Sequence, residues 1–300
     1  MSQKTNRRFY LLLGESILMK RWIILGFILL IAISLSHADE ITSATSSDQV
    51  LSLPPQMYTV LERITDEISD ELFVIMDENQ KSALSLQGTG ISGESAELVL
   101  QTKLSNVTHG HSSLVISEEN IITAAAPAMY TDLIGTNLSH QPETRYANEK
   151  KEPVISDVFY LEEGFYGVSV SYPVFAEDGG YLGYTDITIR PEEFFRSVIS
   201  NITEESGYEV MIVQPDGTVV YETDEIEIGK NIMTDQVYDS PEMRSASQAL
   251  LENETGSVAN YTFWDKGWNK QVLRQAVWDT ISLDNQFWRV AVIRDLEDNR

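Results

Sequence analysis

Two stretches of alternating side chains, each broken by an Asp-Gly turn and set about forty residues apart, restrict this chain to small antiparallel sheets. The first runs Tyr166-Gly-Val-Ser-Val-Ser-Tyr-Pro-Val-Phe175, turns at Asp178-Gly179-Gly180 and returns as Tyr181-Leu-Gly-Tyr-Thr-Asp-Ile-Thr-Ile189. Val168, Val170, Tyr172 and Val174 alternate with Ser169, Ser171 and Pro173, the pattern of a half-buried strand. The second runs from Val210 to Tyr221 and turns at Asp216-Gly217. Glycines at the turns supply the positive φ that tight hairpins require. Two such hairpins after a long helical stretch predict an α+β chain of two modules.

That helical stretch opens at Pro54-Pro55, where proline suits a first turn. Met57, Val60, Leu61, Ile64, Ile68, Leu72, Ile75 and Met76 then recur at three- and four-residue steps, predicting a stalk helix to about Leu86. Further helices are expected from Glu94 to Leu104, from Arg190 to Ile199 and from Met243 to Leu251. Short strands are expected at Ser112–Ile116, Asn120–Ala124, Val154–Tyr160, Ser257–Trp264, Lys270–Val277 and Trp288–Ile293. This divides the chain into a leader and stalk at 39–86, a first module at 87–196 and a second at 197–300.

Residues 1–38 read as an export segment. Lys20 and Arg21 precede an apolar run from Trp22 to Leu35, and Ser36-His37-Ala38 offers small residues to a signal peptidase. Cleavage after Ala38 and retention as an anchor are both open, as is a start at Met19. The protein is expected to be extracytoplasmic, secreted or held at the membrane.

The 300 residues include 21 basic and 46 acidic side chains, for a net charge of −25. Without the first 38 residues the balance is 16 to 45, or −29. Such a field excludes nucleic acid and anionic lipid as partners. No cysteine is present, which removes disulfides and thiolate metal sites. Five Asn-x-Ser/Thr sites, at Asn106, Asn137, Asn201, Asn253 and Asn260, agree with a surface location.

The chemical motifs point away from catalysis. Gly88-Thr-Gly-Ile-Ser-Gly93 has the letters of a dinucleotide loop, but a helix precedes it and His109-Gly-His111 stands where the acid belongs. It reads as a helix break. The two histidines lack a third ligand at a telling spacing and read as a polar loop. No nucleophile elbow, zinc-protease helix or P-loop occurs, so no cofactor and no enzyme activity are expected. A binding pocket remains. Asp186 lies inside a strand, where an acid needs a wet face or a partner. Leu182, Tyr184 and Thr188 should share its face, with Ile187 and Ile189 opposite. Tyr130, Arg145, Tyr146 and Tyr172 are polar-tipped residues of the same module.

In order, Val154-Ile-Ser-Asp-Val-Phe159, Val170-Ser-Tyr-Pro-Val-Phe175, Asp178-Gly-Gly180, Gly183-Tyr-Thr-Asp-Ile187, Gln214-Pro-Asp-Gly-Thr-Val-Val-Tyr221 and Ile228-Gly-Lys-Asn231 resemble the double Cache family of extracytoplasmic sensors. The likeness is similar to that of stand-alone archaeal members. It implies two PAS-like modules, the first binding a small polar ligand such as an amino acid, amine or carboxylate. It also implies that Asp186 holds a ligand ammonium and that a separate membrane signalling protein reads the signal. Asp157 joins the candidate site through the first motif. The family's Arg-x-Trp-Tyr motif is missing. Counting about fifteen residues back from Ser156 reaches Gln141, and Arg145-Tyr146 is a displaced substitute. The alternative is a structural or adhesive surface protein that keeps the scaffold without a ligand.

Overall fold

The structure, a computed structural model, describes residues 52–283 and 286–296. The export segment and most of the polar leader expected before the stalk lie outside the described residues. Among those described, no helix is long and apolar enough to cross a membrane.

Helix α1 (Pro55–Thr89) follows Pro54 and ends at Gly90, whose φ of 86° the helix cannot continue. Its 35 residues, at about 1.5 Å each, make a rod of about 52 Å. The predicted apolar stripe is buried from Met57 to Leu86, three residues before the helix ends. Helix α2 (Gly93–Asn106) packs back on it after the glycine-rich break.

The first sheet is built from β1 (Ser113–Ser117), β2 (Ile122–Ala126), β3 (Val154–Ile155), β5 (Tyr166–Phe175) and β6 (Tyr181–Ile189), in the order β2-β1-β6-β5-β3. β4 (Phe159–Tyr160) also pairs with β5. The single strand expected at Val154–Tyr160 is thus two short pieces. Helix α3 (Pro142–Lys150) lies in the crossover from β2 to β3, and helix α4 (Pro191–Ser206) leaves β6. The second sheet contains β7 (Glu209–Val213), β8 (Val219–Glu222), β9 (Gly256–Trp264), β10 (Gln271–Leu283) and β11 (Gln286–Asp295), in the order β8-β7-β11-β10-β9. Helix α5 (Pro241–Glu252) crosses from β8 to β9.

All pairings within both sheets are antiparallel, and both sheets follow one order. The first two strands form one edge, the last is central and its predecessor lies beside it. The two hairpins visible in the sequence are therefore not equivalent. β5–β6 corresponds to β10–β11, and β7–β8 corresponds to β1–β2.

One apolar core joins both sheets to the rod. Ile64, Ile68 and Ile75 of α1 share it with Val168, Val170, Ile187 and Ile189 of the first sheet and Val210, Ile212, Val290 and Val292 of the second. Phe194 and Phe195 of α4 complete it, with the Phe195 ring 5.0 Å from that of Trp288. At about 25 cal/mol per Å² of apolar surface removed from water, this shared layer is the main force holding the sheets to the helix.

Candidate functional site

The face of the first sheet turned away from α1 carries the site. Asp186 sits in the middle of β6, opposite Ser171 of β5. The alternation along β5 puts its valines on α1 and its serines on the other side, as read from the sequence. Those serines do not meet solvent. Ser169 and Ser171 are buried because α3 and the loops around it roof a narrow cavity over them. Leu182 departs from expectation. Pairing slips between Val174 and Phe175, and Gly183 takes a φ of 136°, so Leu182 is an extra residue that turns into the cluster below α2. A Cβ at Gly183 would collide with the Ile116 carbonyl, which is why glycine stands there.

Asp186 is 4 % exposed. Its Oδ1 accepts from the Leu114 backbone N–H at 2.8 Å and its Oδ2 from Ser169 Oγ at 2.9 Å. Burial pushes its carboxyl pKa up, against the pull of these bonds. Glu163, also in the cavity wall, accepts from Ser112 Oγ at 2.8 Å. Burial and the nearby Asp186 charge raise its pKa to about 7. Glu143 and Glu162 add two more carboxylates to the wall, and among the described residues no Lys or Arg lines it. The remainder is apolar or neutral, including Leu114, Phe159 and Tyr184.

Behind the sheet lies Lys103, a buried cation of α2 that periodicity did not single out. Its Nζ donates to Asn79 Oδ1 at 2.9 Å and to Thr185 Oγ1 and the Asp186 carbonyl, both at 2.7 Å. Burial lowers its pKa to about 7. The sequence signal was present: a lysine on the α2 face otherwise formed by Ala96 and Leu100.

Of the seven residues singled out from sequence, the structure brings Gln141 and Asp186 together in the cavity wall. Gln141 caps α3 and accepts from Thr144 Oγ1 at 3.1 Å. Tyr130 lies outside that wall, with its hydroxyl 2.9 Å from His111 Nε2. Arg145 is exposed and donates to the Ser139 carbonyl at 2.6 Å. Tyr146 is exposed on α3 beneath the Lys150 ammonium. Asp157 is exposed and accepts from Gln286 Nε2 at 2.5 Å. Tyr172 faces the α2 side of the sheet, by the same alternation that puts Ser171 in the cavity. His109 and His111 do not converge on a metal: His109 Nδ1 meets Ser197 Oγ at 3.0 Å. Glu163, Glu162 and Glu143 were missed, since carboxylates are so frequent in this chain that none stands out.

Residues 72–191 match the family model described as HK/GC/Chemotaxis protein-like, sensor domain. Solved structures extend the likeness over both sheets. An extracellular ligand binding receptor from Desulfohalobium retbaense DSM5692 superposes with a TM-score of 0.68 at 24 % identity, over 80 % of this chain and 40 % of that one. The fold is that of extracellular ligand-binding sensor domains. The ligand-binding domain of the Pseudomonas aeruginosa PAO1 amino acid chemoreceptor PctB, in complex with L-Gln, gives a TM-score of 0.57 at 13 % identity, over 81 % and 91 % of the two chains. That of the Pseudomonas fluorescens chemoreceptor CtaA with L-isoleucine gives 0.57 at 13 %, over 79 % and 90 %. The chain spans less than half the length of the Desulfohalobium receptor. No curated protein matches.

Proposed function

We propose that this chain is an extracytoplasmic, non-enzymatic sensor domain that captures a small molecule bearing a protonated amine in the cavity over the first sheet. Residues 87–196 form the binding module in this reading, and 197–300 a second module on the same stalk. The observation that carries it is a cavity wall with Asp186, Glu143, Glu162 and Glu163 and, among the described residues, no cationic side chain. Such a wall attracts an ammonium and repels a carboxylate, so amines are favoured over organic acids. An amino acid would have to leave its carboxylate at the mouth, without the arginine that the missing motif would have supplied. Ligands named in the chemoreceptor structures are amino acids, which supports a small nitrogenous ligand.

Thermal-shift measurements on the full chain test this with amines, diamines, amino acids and organic acids. Amines should raise Tm, by the equivalent of about 2.7 kcal/mol at a hundredfold excess over Kd. Asp186→Asn keeps the acceptor for the Leu114 N–H and should abolish the shift. Stabilisation by organic acids alone, or by nothing in the panel, overturns the proposal; the latter leaves a scaffold without a working pocket.

A further inference from the structure

The second sheet carries its own cluster of buried charge. Glu209 opens β7, Glu222 closes the neighbouring β8, and Asp224 follows in the next turn. One carboxylate oxygen from each lies within 4.8 Å of the others. Glu209 is 8 % exposed and Glu222 3 %, and the Asp224 side chain is as well covered as that of Glu209, at 10 % each.

Counter-charge falls short. Arg274 of β10 is the buried cation, and it is taken by Glu209 on one side and by Asp295, 2.7 Å from its Nε, on the other. Lys266 reaches toward Asp224 only from solvent, with its Nζ at 3.8 Å. Four carboxyl groups thus face two cations. Glu227, close by, accepts from the Tyr238 hydroxyl. Hydrogen bonding is also incomplete. Glu222 Oε1 accepts from the Asp224 backbone N–H at 2.9 Å, and the Ile226 and Glu227 amides also reach this carboxyl group, but Oε2 has no donor in good hydrogen-bond geometry. A carboxylate oxygen buried without a well-aligned donor costs several kcal/mol unless a cation sits against it or the group takes up a proton.

We infer that Glu209, Glu222 and Asp224 form a binding site for a hard divalent cation of the calcium class. Three carboxylates offer only oxygen donors, which suits calcium and excludes soft metals. Carboxylate oxygens within 4.8 Å of one another can meet at one ion, and calcium's flexible coordination tolerates ligands fixed on a sheet better than magnesium's strict octahedron does. The ion balances the surplus of carboxyl groups over cations and gives Glu222 Oε2 a positive partner. Lys266, whose side chain is 63 % exposed, swings into solvent as it enters. Asp224 Oδ2 also accepts from the Gly267 N–H at 2.7 Å, so an ion here ties the β9–β10 turn to the β8 end.

Calorimetric titration of the chelator-treated full chain with calcium chloride tests the site. One saturable site is expected, with Kd in the range of about 10⁻⁴ to 10⁻³ M found for extracellular calcium modules, and weaker binding of magnesium. Glu222→Gln and Asp224→Asn should each weaken calcium at least about tenfold. In chelator, Glu222→Gln should melt no lower than the parent, because it removes an unpaired buried charge; this separates a lost site from a lost fold. Asp186→Asn should bind calcium unchanged. No saturable heat up to about 10 mM calcium, a full decade above that range, overturns the inference. So does equal affinity in both variants, the signature of ions condensing on the acidic surface.

Discussion

One strand order encloses two unlike chambers. Over the first sheet, the face turned from α1 presents Ser169, Ser171, Tyr184 and Asp186 to a cavity walled by carboxylates. Over the second, the equivalent face presents Ala276, Trp278, Ala291 and Ile293 beneath α5. The lining of that second chamber also includes Met211, Met243, Leu250 and Phe263. Charge gathers at its margin, where Arg274 and Glu227 reach the wall. The backbone topology therefore sets where a chamber forms, and a few alternate positions on two strands set what it can hold.

Two of the buried cations, Arg274 and Lys103, sharpen the contrast. Arg274 is clamped by carboxylates, and those charges keep its guanidinium pKa above the ordinary value despite burial. Lys103 is held only by neutral oxygens and loses its proton readily. Arg274→Met should leave Glu209 and Asp295 unpaired and cost about 3–5 kcal/mol in urea unfolding. Lys103→Met, which strands acceptors but no ionised partner, should cost about 1–3 kcal/mol. Equal losses would mean that both cations act alike.

A pH series reads both chambers together. Burial raises Glu163 in the first and Glu227 in the second to about 7. Both start from an ordinary value of 4.5, so between that pH and 7 the folded protein keeps protons that the unfolded chain has released. Stability should accordingly fall as pH rises through this window, by up to about 3 kcal/mol per group. Glu163→Gln and Glu227→Gln should each flatten part of the slope. Lys103, depressed to about 7, works in the opposite direction and only above that pH: stability returns as the unfolded lysine also loses its proton. A flat profile between about pH 5 and 7 would show that neither carboxyl is held protonated.

The smallest effect concerns packing. Ala246 of α5 lines the apolar chamber. Ala246→Leu should fill space there and raise stability by about 0.5–1 kcal/mol, measured by thermal melting. The same substitution at Ala147, in the roof of the acidic cavity, should instead block amine-dependent stabilisation.

Much of the fold was legible because periodicity reports burial. Heptad-like spacing of Ile64, Ile68 and Ile75 marked α1, and the alternation Val168–Ser169–Val170–Ser171 marked β5 and its faces. Two readings failed for reasons beyond local pattern. β5 was read as a half-buried strand, yet the roof formed by α3 buries its serine face as well. Leu182 was placed with Asp186, yet the slip at Gly183 turns it away. The site was less legible. Asp186 stood out as a lone acid in a strand, whereas Arg145 and Tyr146 are on the outer face of α3, and a spacing rule cannot see which face of a short helix packs down. No residue of the second module was singled out from the sequence. Glu209, Glu222 and Arg274 passed as ordinary strand-edge charges in so acidic a chain.

The sequence by itself determined the elements, their order and the outward or inward sense of most side chains, because turn residues and hydrophobic period act over a few residues. Only the tertiary structure decided which hairpins correspond and which carboxylates meet behind closed walls. Those outcomes depend on loops and helices that fold across the sheets from far along the chain. Burial by such distant segments is what turns an abundant acidic residue into a site.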